Sequence, residues 1–163
     1  MRESVAVRPD DEVLGCSGTL AVLSDAESRV HVAFIEDGVS SQTADYSVNN
    51  GDLISWCRSA KIACHIPQVR SVSFRDFSDN YVDTVVLLQL AQTVARLTKK
   101  HNPHINFTHY ADDLNIDHRK TDKAVVAVCR PQCNAPVKTL LRFEIPSSTE
   151  WQLSSSGAVI ASN

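Results

Sequence analysis

The chain of 163 residues predicts an α/β fold, a doubly wound and mostly parallel sheet with helices on both faces, and three observations support this. Apolar runs alternate with helical patterns every 10 to 20 residues or so, roughly the rhythm of parallel strands joined by right-handed crossovers. One run, Val30 to Ile35 (VHVAFI), is almost continuously apolar, as a strand covered on both faces must be. Polar clusters follow Val7, Ile35, Phe74 and Phe107, so they fall at the carboxyl ends of strands, where such sheets bind ligands.

The elements follow in order. Val5 to Val7 is a short strand that stops at Arg8-Pro9. Asp10, Asp11 and Glu12 come next, and a helix is expected from about Asp11 to Asp25, with Val13, Leu14 and Leu20 as its apolar side. Glu36-Asp37-Gly38 turns the chain after the second strand, Ser40 to Gly51 is a polar surface loop, and a modest helix spans Leu53 to Cys64. Val69 to Phe74 is a third strand. The clearest helix is Val82 to Lys100: Val82, Val86, Leu90, Val94 and Leu97 form its stripe, and Lys99, Lys100 and Pro103 close it. His104 to Thr108 is a fourth strand, Asp117 to Cys129 a helix and Val137 to Ile145 the last strand. Residues 1–163 form one domain, long enough to bury roughly two thirds of the unfolded surface, with 152–163 a loose tail.

Composition narrows the function classes. With 43% apolar and 21% charged residues the chain reads as an ordinary soluble globular protein. A net charge of −3 lacks the basic footprint of a nucleic-acid or anionic-membrane binder, so neither is expected as a partner. No apolar run approaches the ~18 residues of a membrane span, and no signal peptide is read before the first strand. The five cysteines, Cys16, Cys57, Cys64, Cys129 and Cys133, are odd in number and match no zinc-ribbon spacing. Free thiols in a cytoplasmic protein are the expectation. His31, His65, His101 and His104 lack a carboxylate neighbour in sequence and are read as structural.

Three adjacent carboxylates repel one another, so a fold that gathers Asp10, Asp11 and Glu12 at a strand's end must offer them a cation, a proton or a substrate. Taken alone, the same run also suits a solvated first turn favoured by the helix macrodipole.

Five segments carry a family resemblance: RPDDEVLGCSGTL from Arg8, Phe34 to Val39 (FIEDGV), Phe77 to Asn80 (FSDN), Thr108-His109-Tyr110 with Asp113 to His118 (DLNIDH), and Phe143 to Trp151 (FEIPSSTEW). In this order they resemble the LmbE/PIG-L family of zinc-dependent N-deacetylases, whose first run usually reads His-Pro-Asp-Asp-Glu. The resemblance implies a Rossmann-like three-layer sandwich and a metal-dependent amidohydrolase. Its substrate would be a small N-acetylated sugar conjugate, resembling N-acetylglucosamine, and its cofactor zinc. It further implies Asp11 and His118 as metal ligands, with Arg8 at the third ligand position, Asp10 as general base and Asn115 as oxyanion support. Asp117 is implied as the carboxylate that orients His118, and Asn80 and His109 as substrate-binding residues, with His109 also an alternative replacement ligand.

Arg8 departs from the pattern, because a guanidinium has no lone pair for a metal. It pairs well with carboxylates, so the expectation is an internal ion pair of Arg8 with Asp10 or Asp11, with zinc weak or absent. Two further departures concern the sugar and the leaving group. The helix before the third strand offers only Arg58 where relatives carry a sugar-holding arginine, and no histidine follows His118, whereas relatives continue to one that assists the leaving amine. Either the sequence is a fragment or that half of the mechanism is missing. Two functions follow: an N-deacetylase, or a catalytically degenerate homologue that acts as a sugar-binding or regulatory module.

Overall fold

The computed structural model describes residues 2–6, 10–36, 69–77, 82–146 and 148–149. Arg8, Asn80 and the expected loop and helix between Ser40 and Cys64 lie outside the described residues. The strands are β1 (Arg2–Ala6), β2 (Val30–Glu36), β3 (Ser71–Phe77), β4 (Ile105–His109) and β5 (Thr139–Phe143). The helices are α1 (Asp11–Asp25), α2 (Leu87–His101) and α3 (Ile116–Cys129). The sheet order is β3-β2-β1-β4-β5, and every neighbouring pair is parallel. This is the doubly wound parallel sheet that the alternating pattern predicts, and it is Rossmann-like, as the family resemblance implies. The chain winds outward from β1 in one direction, then returns to start again at β4, so the topological switch point falls between β1 and β4.

Side-chain alternation builds two cores from one buried strand. All seven residues of β2 are buried. Val30, Val32 and Phe34 point to the α1 side, where they pack with Cys16, Leu20, Phe107, Phe143 and Ile145. Ile35 points the other way, to Val82, Leu90 and Val94 and to Ala124 and Val125 of α3.

The bounds of α1 are those expected, but its buried face is not. Glu12, Cys16 and Leu20, spaced four apart, face inward beside Asp11, while Val13 and Leu14 are 38% and 55% exposed. Asp11 and Glu12 are therefore not part of a solvated first turn, although Asp10 is exposed. Gly15 explains how closely α1 is laid down, since a Cβ there would stand 2.2 Å from Phe143 Cδ2.

Other boundaries move for local reasons. β1 starts at Arg2 because backbone pairing with β2, from Arg2↔Val30 to Ala6↔Phe34, overrides the polar side chains of that segment. The long helix expected from Val82 is broken: a 3-10 turn covers Val82–Thr84, and Val86 is the N-cap of α2 with extended backbone, 62% exposed rather than in the stripe. At the far end Asn102 takes the left-handed conformation (φ 47°) and donates its N–H to Thr98 O, and Pro103 prevents continuation.

His31 and His101 are buried and meet as a pair, ring centroids 4.1 Å apart, with His31 Nδ1 2.6 Å from Ser71 Oγ. Burial, and then the positive charges of His101, Arg29, Lys100 and Arg70, push the His31 pKa down to about 4. Among the described residues Cys16, Cys129 and Cys133 are not joined in a disulfide. No helix among the described residues is long and apolar enough to cross a membrane.

Candidate metal centre

The switch point brings three distant segments together. Asp11 is the first residue of α1, just beyond β1; His109 is the last residue of β4; His118 lies in the first turn of α3. Their side chains are 3%, 0% and 1% exposed. His109 Nε2 stands 3.7 Å and His118 Nε2 3.6 Å from the same oxygen, Asp11 Oδ2. The two rings stack with centroids 4.0 Å apart and an interplanar angle of 16°, so both nitrogens lie on one side. All three donor atoms fall within 4.8 Å of one another.

These separations decide what the cluster is suited to. They exceed the ~3.2 Å limit of a good N–H···O bond, so neither imidazole is closely hydrogen-bonded to Asp11 Oδ2. Four ligands at 2.0–2.1 Å around a tetrahedral zinc stand about 3.3 Å apart, close to the spacing seen. A carboxylate and two imidazoles are also a ligand set that hydrolytic zinc accepts, with one position left for water.

His118 is further fixed from its other nitrogen. Its Nδ1 lies 3.2 Å from Asp113 Oδ1, in a contact off the straight hydrogen-bond line, and Asp113 is wholly buried. A carboxylate facing Nδ1 keeps the proton there and leaves Nε2 with its lone pair toward the cluster. His118 Nε2 is buried without a hydrogen-bond partner among the described residues. Burial pushes the Asp113 carboxyl up, but contacts with His118, the Thr149 hydroxyl and the Asn115 N–H hold it well below the usual carboxylate range.

The carboxylate seen facing His118 Nδ1 is that of Asp113, a residue not singled out for that place, where Asp117 was expected. Asp113 reaches His118 from the turn before α3. Asp117 is buried, and its N–H donates to Asn115 Oδ1 at 2.8 Å.

Asn115 is the N-cap of α3; its side-chain oxygen is engaged in the cap, which leaves its NH2 as the donor it offers. Asp10 is the exposed N-cap of α1 and caps through its backbone carbonyl, which accepts from Val13 and Leu14 at 3.0 Å, not through its carboxylate. His109, expected on the substrate, is wholly buried within the cluster, with Phe143 4.8 Å from its ring. Phe143 also forms part of the wall of a groove of ≈ 570 Å³ with Gly15, Cys16, Thr19, Phe107 and Tyr110.

A parallel sheet with a buried Asp-His-His cluster at its switch point defines an α/β protein with a candidate metal site. The family model described as PIG-L, GlcNAc-PI de-N-acetylase, matches residues 5–129, and the chain belongs to that family. No curated protein matches. Solved structures with the same fold include N,N'-diacetylchitobiose deacetylase from Pyrococcus horikoshii in complex with its inhibitor MPG, 19% identical with a TM-score of 0.68, covering 78% of this chain and 48% of that one. A deacetylase of the teicoplanin biosynthesis pathway is 16% identical, TM-score 0.75, and covers 99% of this chain and 72% of that one. The 4-carboxy-2-hydroxymuconate hydratase GalB from Pseudomonas putida KT2440 is also similar, 17% identical with a TM-score of 0.62, covering 78% and 55%. The chain spans about half the length of the chitobiose deacetylase and of GalB.

Proposed function

We propose that the chain is a zinc-dependent hydrolase that removes the N-acetyl group from an N-acetylglucosamine-like sugar conjugate, with Asp11, His109 and His118 as protein ligands of the metal. The observation that carries this reading is the convergence of those three buried donors on one point. A buried imidazole nitrogen without a hydrogen bond is costly, by about 1–3 kcal/mol, and a cation at the cluster removes that cost for His118 Nε2. Family membership and the deacetylases among the similar folds support the reaction class. Arg8 has no lone pair to give, and in this reading His109 supplies the donor that residue 8 does not.

A bound zinc supplies Lewis acidity to the amide carbonyl and brings the pKa of water down to about 7. Asp10, adjacent to Asp11 and exposed, takes the proton from the attacking water. The Asn115 NH2 donates to the carbonyl oxygen as it becomes negative. The carbonyl carbon–nitrogen bond then breaks, acetate forms, and the nitrogen takes the proton that Asp10 received from the water and leaves as the sugar amine. Asp113 keeps the His118 ring in place throughout.

Metal analysis of the chain purified without chelator, combined with acetate release from a panel of N-acetylated sugars, tests the proposal. Bound zinc, turnover, and an Asp10→Asn variant that keeps its zinc but releases no acetate are the expected results. A chain that takes up no zinc, or a zinc-loaded chain inert on the whole panel, refutes it. Arg8 favours a second reading, a sugar-binding or regulatory module, and saccharide binding without acetate release is its signature.

A further inference from the structure

The turn after β5 reaches back across the molecule to the candidate metal centre. Ser148 Oγ donates to Asp113 Oδ2 at 2.9 Å, and Thr149 Oγ1 donates to the same oxygen at 2.6 Å. The other oxygen, Oδ1, accepts the Asn115 N–H at 2.8 Å and faces His118 Nδ1. We infer that Ser148 and Thr149 are positioning residues that act through Asp113 on His118, so that the turn after β5 sets the aim of a ligand imidazole; this rests on the zinc-site reading above.

Three observations argue for more than the satisfaction of a buried charge. First, the two carboxylate oxygens are divided: one serves the α3 side, and the other is held by two hydroxyls 35 and 36 residues away. Asp113 cannot rotate its Oδ1 away from His118 without giving up both hydroxyls, and an O–H···O⁻ bond of 2.6 Å is in the strong, charge-assisted range. Second, the Thr149 hydroxyl has a fixed direction. It accepts the Ile145 N–H at 3.0 Å, so its own proton is turned to Asp113, and the relay polarises each bond in it. Third, the turn itself is pinned. Ser148 N–H and Thr149 N–H both donate to Ile145 O, at 3.0 and 2.8 Å, and Ile145 is buried in the α1-side core. The position of β5 is thereby transmitted to His118 through named atoms.

The test uses the full chain and two readouts. In metal-free protein at about pH 8, above the ordinary histidine range, the ¹⁵N shifts of His118 report which nitrogen carries the proton. The wild type is expected to hold the Nδ1–H form; a Ser148→Ala, Thr149→Val double variant is expected to show a mixture. Zinc affinity, measured by competition with a chromophoric chelator, is expected to fall by about 10 to 100-fold in the double variant and to return to within a few-fold of wild type in Thr149→Ser, which keeps the hydroxyl. Leu97→Ala, a destabilising change at a wholly buried position of α2, is expected to leave both readouts unchanged. An unaltered His118 tautomer in the double variant, an unaltered zinc affinity, or an equal loss in Leu97→Ala overturns the inference. A wild-type chain without zinc affinity counts against the proposed function instead, and the tautomer measurement still decides the role of the two hydroxyls.

Discussion

Two glycines in α1 make opposite predictions. Alanine at an exposed helix interior position is favoured over glycine by about 0.8–1.0 kcal/mol. Gly18 is exposed, and a Cβ there meets nothing within 4 Å, so Gly18→Ala should gain most of that amount. At Gly15 the same substitution puts a Cβ 2.2 Å from Phe143 Cδ2 and 3.0 Å from two more ring atoms. The ring is buried between α1 and His109 and cannot swing aside freely. Overpacking of this kind costs about 1–3 kcal/mol, so Gly15→Ala should be net destabilising by up to about 2 kcal/mol after the helix gain. The two variants should therefore differ by about 1–3 kcal/mol. Urea unfolding at constant slope measures the difference directly. Equal midpoints for the two variants would refute the claim that α1 lies against Phe143 at the distance described.

His109→Ala and His118→Ala should each lower zinc affinity by more than about 100-fold, beyond what the loss of a supporting carboxylate does; a His109→Ala chain that binds zinc like wild type removes that histidine from the ligand set. The His31 pKa of about 4 lies below its ordinary 6.5. The unfolded chain therefore binds a proton there first, and stability should fall as pH drops through that window, by up to about 1.4 kcal/mol per pH unit. His31→Gln should flatten that part of the pH dependence in urea titrations, and an unchanged slope would count against the buried neutral pair. Leu90→Ala, at a wholly buried position between α2 and α3, should cost about 2–5 kcal/mol by the same assay; a cost below about 1 kcal/mol would mean the site collapses around the loss.

Much of the fold was legible because burial on two faces leaves a strong mark. VHVAFI can be little else than a central parallel strand, and it is one. Periodicity was less reliable where a cap or a close approach intervened. Val13 and Leu14 look like the apolar side of α1, yet Gly15 lets the opposite side settle on Phe143 and carries Glu12 inward. Val86 fits the α2 stripe by spacing but serves as its N-cap. The site was legible as a set of segments and not as a set of contacts. Asp11 and His118 can be named from their motifs, but that Asp113 holds His118 depends on how a turn folds, and that Ser148 and Thr149 hold Asp113 depends on a contact 35 residues away. The signal was present in the Asp-Leu-Asn-Ile-Asp-His and Pro-Ser-Ser-Thr segments; what joins them is tertiary.

The seam between β1 and β4 gives the candidate site a second consequence. β1 pairs with β2 over five residues, from Arg2↔Val30 to Ala6↔Phe34, but with β4 over three, from Arg2↔Ile105 to Ser4↔Phe107. Asp11 belongs to the half built from β1, α1 and β2, while His109 and His118 belong to the half built on β4 and α3. A cation bound by all three would join the halves beyond the last paired residues, at the end of the shorter ladder. Because such a site exists only in the folded chain, metal present at 100 times its dissociation constant stabilises the fold by about 2.7 kcal/mol. The gain should appear as slower amide exchange in β1 and β4 on zinc addition, with the distant ends of α2 unaffected. Slowing spread evenly over the molecule, or confined to α3, would mean that the metal does not bridge the two halves.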